Sequence, residues 1–483
     1  MFIPCKYRTF AIKIFKCMHK IKFGTDGWRA IIAKEFTTVN VARISMGVAL
    51  YLKQKEGKAG TIVIGHDCRF GGALFMQQAA SVFASQGFRV LYAENFVSTP
   101  MISLATLEHK ASMGVIITAS HNPPSYNGYK LKGAYGGPVL PDELEAIEAL
   151  IPDSIDDIAL IDLQNHPLCK KEDFEQLYID KIKANFDLDA IKNSGLLFGY
   201  DAMYGAGQGV MNTLFPEIER LHCTLNPGFE GIAPEPILKN LKAFQQHIRR
   251  HGNMACGLAT DGDADRIGLF DSKGNFVDSH HIILLLIHYL VKYKAYKGKV
   301  ITAFSVTDKI KKMCAHYGLE QETVKIGFKY IAGYFLHEDI LLGGEESGGI
   351  AVKGHIPERD GIWMGLIIWE FMAKSGKSLE ELIKEVYEIT GSFAYDRADL
   401  HLSEEQKQRI LEACKTDKIE HIAGMHIQRK ETVDGFKYHF ENGNWLMIRA
   451  SGTEPVVRVY AEAANEAELK KFLDAAVNDV MAL

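Results

Sequence analysis

Three aspartates at alternating positions, Asp261, Asp263 and Asp265, form the sharpest chemical pattern in the sequence. Carboxylates spaced in this way can converge on one side of an extended loop and offer hard oxygen ligands to a divalent cation. Without a cation, the mutual repulsion of three clustered carboxylates would be costly. The alternative to a metal site is an acidic turn whose carboxylates are solvated. An EF-hand is excluded, because Arg266 and Ser272 stand where its glycine and glutamate are required. The loop therefore predicts a metal site. Mg²⁺ is the expected ion, because three protein ligands leave room for one from a substrate or a phosphorylated residue.

A serine on a stiff turn is the second candidate group. Val115 to Ile117 form an apolar, β-branched run that predicts a buried strand. Ser120, His121 and Asn122 follow this run, and two prolines then stop any regular element. Because open α/β sheets bind ligands at the carboxyl ends of their strands, this serine is placed for chemistry. The alternative is an ordinary turn, in which the serine and asparagine side chains bond to the nearby backbone.

Further glycine-containing loops carry groups suited to a phosphosugar. The stretch 342–349, Leu-Gly-Gly-Glu-Glu-Ser-Gly-Gly, can approach a polyol closely, and 355–360 adds polar and cationic groups. An acidic hairpin loop explains 342–349 equally well. The stretch 449–455, together with Arg458, offers the hydroxyls, backbone donors and arginines that bind a phosphate dianion. The turn 24–29 is a weaker phosphate candidate, for which a structural role is favoured. Together these groups indicate phosphoryl transfer on a phosphosugar.

The elements that must position these loops alternate between strands and helices. Apolar runs at 61–64, 196–198 and 300–304 each lead into a polar turn, and helical periodicity follows at 73–86 and through 312. This alternation predicts parallel or mixed sheets covered on both faces, and its recurrence at long spacing predicts three similar α/β domains. The turn after 196–198 does not complete a dinucleotide fingerprint, because Val210 stands at the last glycine position.

The C-terminal segment changes to an α+β pattern. Short strands are predicted at 438–440, 445–448 and 456–460, before a terminal helix with Asn465 as its N-cap. We therefore predict four domains after an N-terminal extension. Their predicted ranges are 1–20 for the extension, 21–165 with the serine turn, 166–275 with the aspartates, 276–390 with the glutamate stretch, and 391–483 for the α+β domain.

Composition excludes several functional classes. The chain has 483 residues, of which 47% are hydrophobic and 24% charged, as in a globular protein of several domains. A net charge of -5 gives no reason to expect a nucleic-acid partner. The longest apolar stretch, 282–287, is far shorter than the roughly 20 residues that span a bilayer, so no membrane partner is expected. Eight cysteines without a C-x-x-C pair argue against zinc and disulfides, and favour a reducing cytoplasm.

The first 20 residues contain lysines and an arginine but no acid. They fit neither a signal peptide nor a transit peptide well, because serine is absent and lysines break the apolar run. A start at Met18, just before the first organised stretch, is therefore favoured over a start at Met1.

Four motifs in fixed order resemble those of the α-D-phosphohexomutases, which include the phosphoglucomutases, the phosphomannomutases and their relatives. They are Thr-Ala-Ser-His-Asn-Pro-Pro at 118–124, Asp-Gly-Asp-Ala-Asp-Arg at 261–266, Gly-Glu-Glu-Ser-Gly-Gly at 344–349, and Arg-Ala-Ser-Gly-Thr-Glu-Pro at 449–455. With Lys-Phe-Gly-Thr-Asp-Gly-Trp-Arg at 22–29, the resemblance runs from about residue 20 to the end. It implies three related α/β domains with mixed sheets and a C-terminal α+β domain around a central cleft.

The resemblance also implies a role for each motif residue. Ser120 would carry a phosphoryl group to a hexose monophosphate through a hexose 1,6-bisphosphate, which also acts as activator. Mg²⁺ would be held by the three aspartates and the Ser120 phosphate, with Lys130 as general acid/base. The groups that would orient the reacting phosphate are His121, Arg29 and Arg266. The groups that would bind the sugar are Glu345, Ser347, His355 and Arg359. The groups that would hold the other phosphate are Arg449, Ser451, Gly452, Thr453 and Arg458.

Departures from the family pattern bear on the sugar. Gly349 stands where several phosphomannomutase-type relatives carry histidine, and Arg359 stands where lysine is common. These positions favour glucose 1-phosphate and glucose 6-phosphate as substrates, and Ala450 in place of proline has little consequence. Phosphomannomutase or phosphoglucosamine mutase activity is the alternative, and a catalytically silent phosphosugar-binding protein is a third. The expected protein is a cytoplasmic monomer or small homo-oligomer whose partners are hexose phosphates.

Overall fold

The computed structural model describes residues 20–24, 26–416, 418–450 and 456–483. Within these residues the strands form four sheets, each at the centre of one domain. The predicted N-terminal extension lies outside the described residues, apart from Lys20. None of the helices in the described part of the chain is both long and apolar enough to cross a membrane. The predicted class, three α/β domains followed by an α+β domain, is confirmed.

Domain I is built on the first sheet. Its strands are β1 (Trp28–Ile31), β2 (Thr61–His66), β3 (Arg89–Ala93), β4 (Met113–Ile117), β5 (Tyr126–Gly133), β6 (Gly137–Pro138) and β7 (Cys169–Glu172). Its helices are α1 (Thr38–Glu56), α2 (Gly72–Ser85), α3 (Thr99–Glu108) and α4 (Pro141–Ala149). The strand order is β1-β5-β4-β2-β3-β7, with β6 paired to β5. β7 extends the sheet beyond residue 165, the predicted end of this domain.

Domain II is built on the second sheet. Its strands are β8 (Leu197–Asp201), β9 (Glu219–Leu221), β10 (Met254–Thr260), β11 (Ile267–Phe270) and β12 (Phe276–Val277), in the order β12-β11-β10-β8-β9. Its helices are α5 (Phe174–Asn185), α6 (Leu188–Lys192), α7 (Gln208–Leu214) and α8 (Lys242–His251), with a 3₁₀ turn at Phe229–Gly231.

Domain III is built on the third sheet. Its strands are β13 (Lys299–Ala303), β14 (Gln321–Val324), β15 (Ile340–Gly344) and β16 (Ile350–Val352), in the order β14-β13-β15-β16. Its helices are α9 (Ser279–Lys292), α10 (Lys309–Tyr317), α11 (Phe328–Phe335), α12 (Gly361–Ser375) and α13 (Leu379–Thr390).

Domain IV is built on the fourth sheet. Its strands are β17 (Ala394–His401), β18 (His421–Ile422), β19 (Met425–Glu431), β20 (Phe436–Phe440), β21 (Trp445–Ala450) and β22 (Val456–Ala463), in the order β17-β22-β21-β20-β19-β18. Its helices are α14 (Glu404–Lys415) and α15 (Glu466–Ala482). Asn465 caps α15 by accepting a bond from the Glu468 backbone N–H (3.0 Å), as predicted.

Domains I, II and III repeat one arrangement. In each, a buried strand runs parallel to one neighbour and is followed by a strand that returns antiparallel to it. The connections are the serine loop (118–125) between β4 and β5, the aspartate loop (261–266) between β10 and β11, and the glutamate loop (345–349) between β15 and β16. The three predicted chemical loops therefore occupy equivalent places in three domains.

Packing holds these domains together. Val63, Leu91 and Ile116 lie on the face of the first sheet that packs under α3, in one apolar core that continues through domains II and III. The opposite face of that sheet packs against α1 and α2 in a separate core. Burial on both faces explains why these strands are apolar along their whole length.

Candidate active site

Backbone hydrogen bonds join α3 of domain I and the glutamate loop of domain III to the aspartate loop and the start of β11. The Thr99 N–H donates to Asp263 O (3.0 Å), and the Ile267 N–H donates to Gly348 O (3.2 Å). The aspartate loop also packs directly on the serine loop, since a β-carbon on Gly262 would lie 2.5 Å from Ser120 O. Glycine at 262 is therefore required for the close approach of the two backbones.

Ser120 is held in a strained conformation beside the aspartates. Its φ of 51° lies in the left-handed region, which is sparsely populated by residues other than glycine and is frequent at functional sites. Its hydroxyl donates to Asp261 Oδ2 (2.6 Å) and lies 3.3 Å from His121 Nδ1. The side chain is almost fully buried. The serine predicted from the motif thus contacts the predicted metal site directly.

The three aspartates form a cluster suited to a metal ion. Asp261, Asp263 and Asp265 are fully buried, and each offers a carboxylate oxygen within 4.8 Å of the others. Within the described residues, Asp263 Oδ1 and Asp265 Oδ1 are buried without a hydrogen-bond partner. Buried carboxylate oxygens without partners are costly, and a hard divalent cation would satisfy them. The donor set therefore fits Mg²⁺.

Burial and mutual repulsion act together on the charge of this cluster. Burial and the two neighbouring aspartates raise the pKa of Asp261 well above its usual range. Burial would also raise the pKa of Asp263, but its contact with Lys130 holds that pKa below the usual range. One cationic side chain thus offsets part of the negative charge, and a bound cation would offset more.

A ring of alternating charges surrounds Lys130. The Lys130 ammonium lies 2.8 Å from Asp26 and Asp263 and 2.9 Å from Asp265. Arg359 closes the ring, because its Nη2 donates to Asp26 and to Asp265 (2.7 Å). Burial alone would lower the pKa of Lys130, but the three carboxylates outweigh this effect and raise it. All these side chains are buried, so their mutual attraction is poorly screened by solvent.

The remaining cations predicted near the reacting group lie around the serine loop. Arg29 Nη1 donates to Asn122 Oδ1 (2.7 Å), and Arg266 Nη1 lies 3.5 Å from Glu235 Oε1. Burial, followed by the charges of Arg266 and Arg29, lowers the pKa of His121 well below its usual value. His121 is therefore neutral at physiological pH, and a nearby anion would raise its pKa.

The glutamate loop lies against the aspartate loop. Glu345 is buried and accepts a bond from the Gly327 backbone N–H (2.9 Å), and burial raises its pKa to about 7. Ser347 is half-buried in the same loop. Arg266 and Gly349 form an isolated β-bridge between the two loops. A ligand that contacts both loops would therefore meet carboxyl and hydroxyl groups opposite the aspartate cluster.

Two arginines of domain IV lie side by side. Arg449 on β21 is the register partner of Arg458 on β22. Asp434 lies 3.1 Å from Arg449 Nε, and Asp399 lies 3.7 Å from Arg458 Nε. The predicted contributions of Ser451, Gly452 and Thr453 lie outside the described residues.

Comparison with known proteins identifies the family. Sequence profiles of the phosphoglucomutase/phosphomannomutase family match all four domains: α/β/α domain I at residues 20–156, domain II at 176–274, domain III at 278–389, and the C-terminal domain at 403–479. The chain belongs to the α-D-phosphohexomutase family. It is accordingly an enzyme of the mutase class.

Its relatives among the phosphohexomutases carry different names. The chain is 30% identical to a phosphoglucomutase/phosphomannomutase of Thermococcus kodakarensis, over 94% of this chain and 96% of the relative. It is 29% identical to a phosphoglucosamine/phosphogalactosamine mutase of Sulfurisphaera tokodaii, over 94% and 99%. A solved structure from Thermus thermophilus, provisionally assigned as a phosphomannomutase, superimposes with a TM-score of 0.85 at 34% identity, over 96% and 99%.

His355 packs in the interior beside the N-terminus of α12. Its side chain is fully buried, Nε2 lies 2.9 Å from Asp360 Oδ2, and the ring stacks on Trp363 at 3.7 Å. Its predicted contact with the substrate stays a prediction. Arg359 is also buried, and it contacts carboxylates of the charge ring instead of facing an open surface.

Asp26 belongs to the charge ring of the candidate site but was not predicted. Besides Lys130 and Arg359, it lies 3.5 Å from Lys132, which pairs with Glu358 at 2.6 Å. Against the effect of burial, Arg359 and Lys130 lower the pKa of Asp26 well below its usual range. The only sequence feature that marks Asp26 is its place between two glycines in the turn that carries Arg29. That turn alone does not reveal its partners, which lie more than 100 residues away in sequence.

Proposed function

We propose that this phosphohexomutase transfers a phosphoryl group between O1 and O6 of a hexose monophosphate through phosphorylated Ser120. The observation that carries the proposal is the contact of the strained Ser120 hydroxyl with Asp261 (2.6 Å) inside a cluster of three buried aspartates. The serine phosphate would pass to the free sugar hydroxyl and form a hexose 1,6-bisphosphate. The other phosphate of this intermediate would then return to Ser120.

Asp261, Asp263 and Asp265 are proposed to hold Mg²⁺ together with the phosphate on Ser120. The free oxygens of Asp263 and Asp265 support this assignment. When bound, the ion would neutralise charge on the transferring phosphoryl group. Arg29, His121 and Arg266 lie around the same loop and would orient that group.

Lys130 is proposed to move the proton that phosphoryl transfer requires. When phosphate leaves Ser120, the serine oxygen must gain a proton, and the attacking sugar hydroxyl must lose one. Lys130 is an ammonium, because the carboxylates around it raise its pKa against the effect of burial. It would donate a proton to the serine oxygen as the phosphate leaves, and the resulting neutral amine would take the proton of the sugar hydroxyl. Its position supports this role, because it bonds to aspartates of the same cluster that binds the Ser120 hydroxyl. Asp26 and Arg359 would fix its position through the charge ring.

The sugar and its second phosphate are proposed to bind across domains III and IV. Glu345 and Ser347 would form hydrogen bonds with the sugar hydroxyls. Arg449 and Arg458, which lie side by side, would hold the phosphate that is not reacting. The stretch that contains Ser451, Gly452 and Thr453 follows Arg449 directly in sequence and is proposed for the same phosphate.

Glucose is the proposed sugar. Its support is Gly349, because the space that a side chain at 349 would need is filled by Arg359, whose Cδ would lie 2.4 Å from a β-carbon there. The Arg359 side chain thus occupies the space where phosphomannomutase-type relatives would place a histidine. Relatives named as phosphoglucosamine mutases make glucosamine the main competitor.

Rates on three substrates test the proposal. Purified protein is assayed with glucose, mannose and glucosamine 1-phosphates, each with Mg²⁺ and the matching 1,6-bisphosphate. The highest kcat/KM is expected on glucose 1-phosphate. A higher value on another sugar would overturn the glucose assignment. Equal activity of Ser120→Ala and wild-type protein would overturn the mechanism.

A further inference from the structure

Arg69 lies on a loop beside the serine loop and outside the five sequence motifs of the family. It follows β2, which is parallel to β4, so the carboxyl ends of both strands lie at the same edge of the first sheet. The Asp67 backbone N–H donates to Ile117 O (3.0 Å) and fixes the two loops side by side. Arg69 is 3% exposed, although arginine is almost never fully buried unless it is paired.

The Arg69 guanidinium binds four backbone carbonyls of one short segment. Nη1 donates to Pro123 O (2.9 Å) and Tyr126 O (3.0 Å). Nη2 donates to Ser120 O (2.6 Å) and Asn122 O (2.6 Å). Bonds from a charged donor are stronger than neutral ones, and the planar fork of arginine fixes their directions. The positions of these four carbonyls, including that of Ser120, are therefore set by one side chain.

Arg69 is itself fixed from two sides. Asp67 Oδ1 accepts a bond from the Arg69 backbone N–H (2.9 Å), and Asp67 Oδ2 lies 3.3 Å from Arg69 Nε. From domain II, the Phe229 ring covers the guanidinium at 5.1 Å, a cation–π contact across the domain boundary. These contacts leave the guanidinium little freedom to follow a displaced serine loop.

We propose that Arg69 is a positioning residue, which holds the serine loop so that Ser120 keeps its left-handed conformation and its hydroxyl stays at the aspartate loop. This inference rests on the proposed role of Ser120. The Ser120 carbonyl is held between Arg69 Nη2 and Gly262, so the clamp sets the distance from the serine to the aspartates. Without the clamp, the strained φ of 51° would relax toward the common negative values and move the hydroxyl.

The consequence is a specific kinetic effect. A displacement of about 1 Å at a reacting atom lowers the rate about 100-fold, because the reacting groups lose their alignment. The groups proposed to bind the sugar and the second phosphate lie in domains III and IV, whereas Arg69 and the loop that it holds belong to domain I. Loss of the clamp is therefore expected to lower kcat and leave KM nearly unchanged.

The test uses two substitutions and a matched control in the full-length protein. Arg69→Lys keeps the charge beside Asp67 but cannot bind four carbonyls. Arg69→Ala leaves a space that methylguanidine can fill. Arg43→Lys is the control, because Arg43 is also a buried arginine of domain I and donates to a backbone carbonyl, Pro152 O (2.8 Å), but lies on α1 away from the serine loop. Activity, thermal unfolding and transfer of phosphate from glucose 1,6-bisphosphate to Ser120 are measured for each variant.

We expect Arg69→Lys to lower kcat and the rate of Ser120 phosphorylation about 10- to 100-fold, with KM within about 2-fold of wild type. Methylguanidine is expected to restore part of the activity of Arg69→Ala, which a loss of folding would not allow. A wild-type kcat in Arg69→Lys would overturn the inference. It would also be overturned if Arg69→Lys lost no more kcat than Arg43→Lys does for the same loss of thermal stability. If wild-type protein is inactive on every hexose phosphate, the proposed function fails instead.

Discussion

The aspartate loop and the glutamate loop occupy equivalent places in domains II and III but differ in their charged neighbours. Both connect a buried strand to its antiparallel return, and both carry carboxylates beside glycines. Lys130 reaches the aspartate loop from domain I and Arg359 from domain III, and both contact Asp265. Glu345 instead accepts a bond from a neutral backbone N–H, and burial raises its pKa to about 7.

This difference shows that neighbouring domains determine the chemistry of a loop. The contact with Lys130 keeps the Asp263 carboxylate charged, which suits a metal ligand. Burial dominates at Glu345, where the charges of Arg359 and Arg266 only partly oppose it, and its pKa of about 7 suits hydrogen bonds with sugar hydroxyls in either protonation state. Changing one loop should therefore affect metal-dependent catalysis, and changing the other should affect substrate affinity.

The largest effect is expected from Asp263→Asn. An amide cannot replace the charge that Lys130 and the proposed Mg²⁺ would both require, so kcat should fall about 1,000-fold or more. Titrations with Mg²⁺ measure the effect: calorimetry gives the Mg²⁺ affinity, and activity assays give the loss of kcat. Asp271→Asn is the matched control, because Asp271 is a buried aspartate of the same domain that accepts backbone bonds from Lys273 (2.9 Å) and Asn275 (2.7 Å) in a turn. Equal Mg²⁺ affinity in Asp263→Asn and wild type would contradict the metal assignment.

A smaller loss of activity is expected from Gly349→Ala, at the contact between the aspartate loop and the glutamate loop. In Gly349→Ala the new β-carbon would lie 2.4 Å from Arg359 Cδ and must displace the arginine from the charge ring. Activity should fall about 10- to 100-fold, since Lys130 then loses part of its support. Gly333→Ala is the control, because the nearest atom to its β-carbon lies 3.7 Å away. No loss of activity in Gly349→Ala would show that Arg359 is not needed there.

The smallest effect on rate is expected from Glu345→Gln. Its KM should rise about 10-fold with a modest change in kcat, because an amide still bonds to hydroxyls but accepts fewer bonds. Loss of kcat to the level of Asp263→Asn would contradict the division of roles between the loops.

The same variant should change how stability depends on pH. Burial raises the pKa of Glu345 from 4.5 to about 7, so between these values the folded protein binds a proton that the unfolded chain has lost. Stability therefore falls as pH rises from about 4.5 to about 7, by up to about 3 kcal/mol, and this part of the decline is absent in Glu345→Gln. Urea unfolding at pH 5 and pH 8 measures the difference, with Glu338→Gln, an exposed carboxylate of domain III, as the control.

Local sequence patterns predicted much of this molecule, and long-range contacts explain what they missed. The strand at 61–64, the helix at 73–86 and the Asn465 cap each depend on neighbours within a few residues, and the structure contains all three. The chemical loops were found because their groups are contiguous in sequence. Asp26 and Arg69 were missed because their partners lie far along the chain. The packing of the His355 ring on Trp363 was likewise not visible in the sequence, and the substrate role predicted for His355 stays a prediction.

Phosphate on Ser120 is the most direct test of the proposed mechanism. Dephosphorylated protein is incubated with Mg²⁺ and hexose 1,6-bisphosphate that carries labelled phosphate, and the peptide containing residue 120 is analysed. We expect stoichiometric label on Ser120, complete loss of that label to an excess of unlabelled hexose monophosphate, and no label in Ser120→Ala. Full mutase activity in protein whose Ser120 never becomes labelled would contradict it.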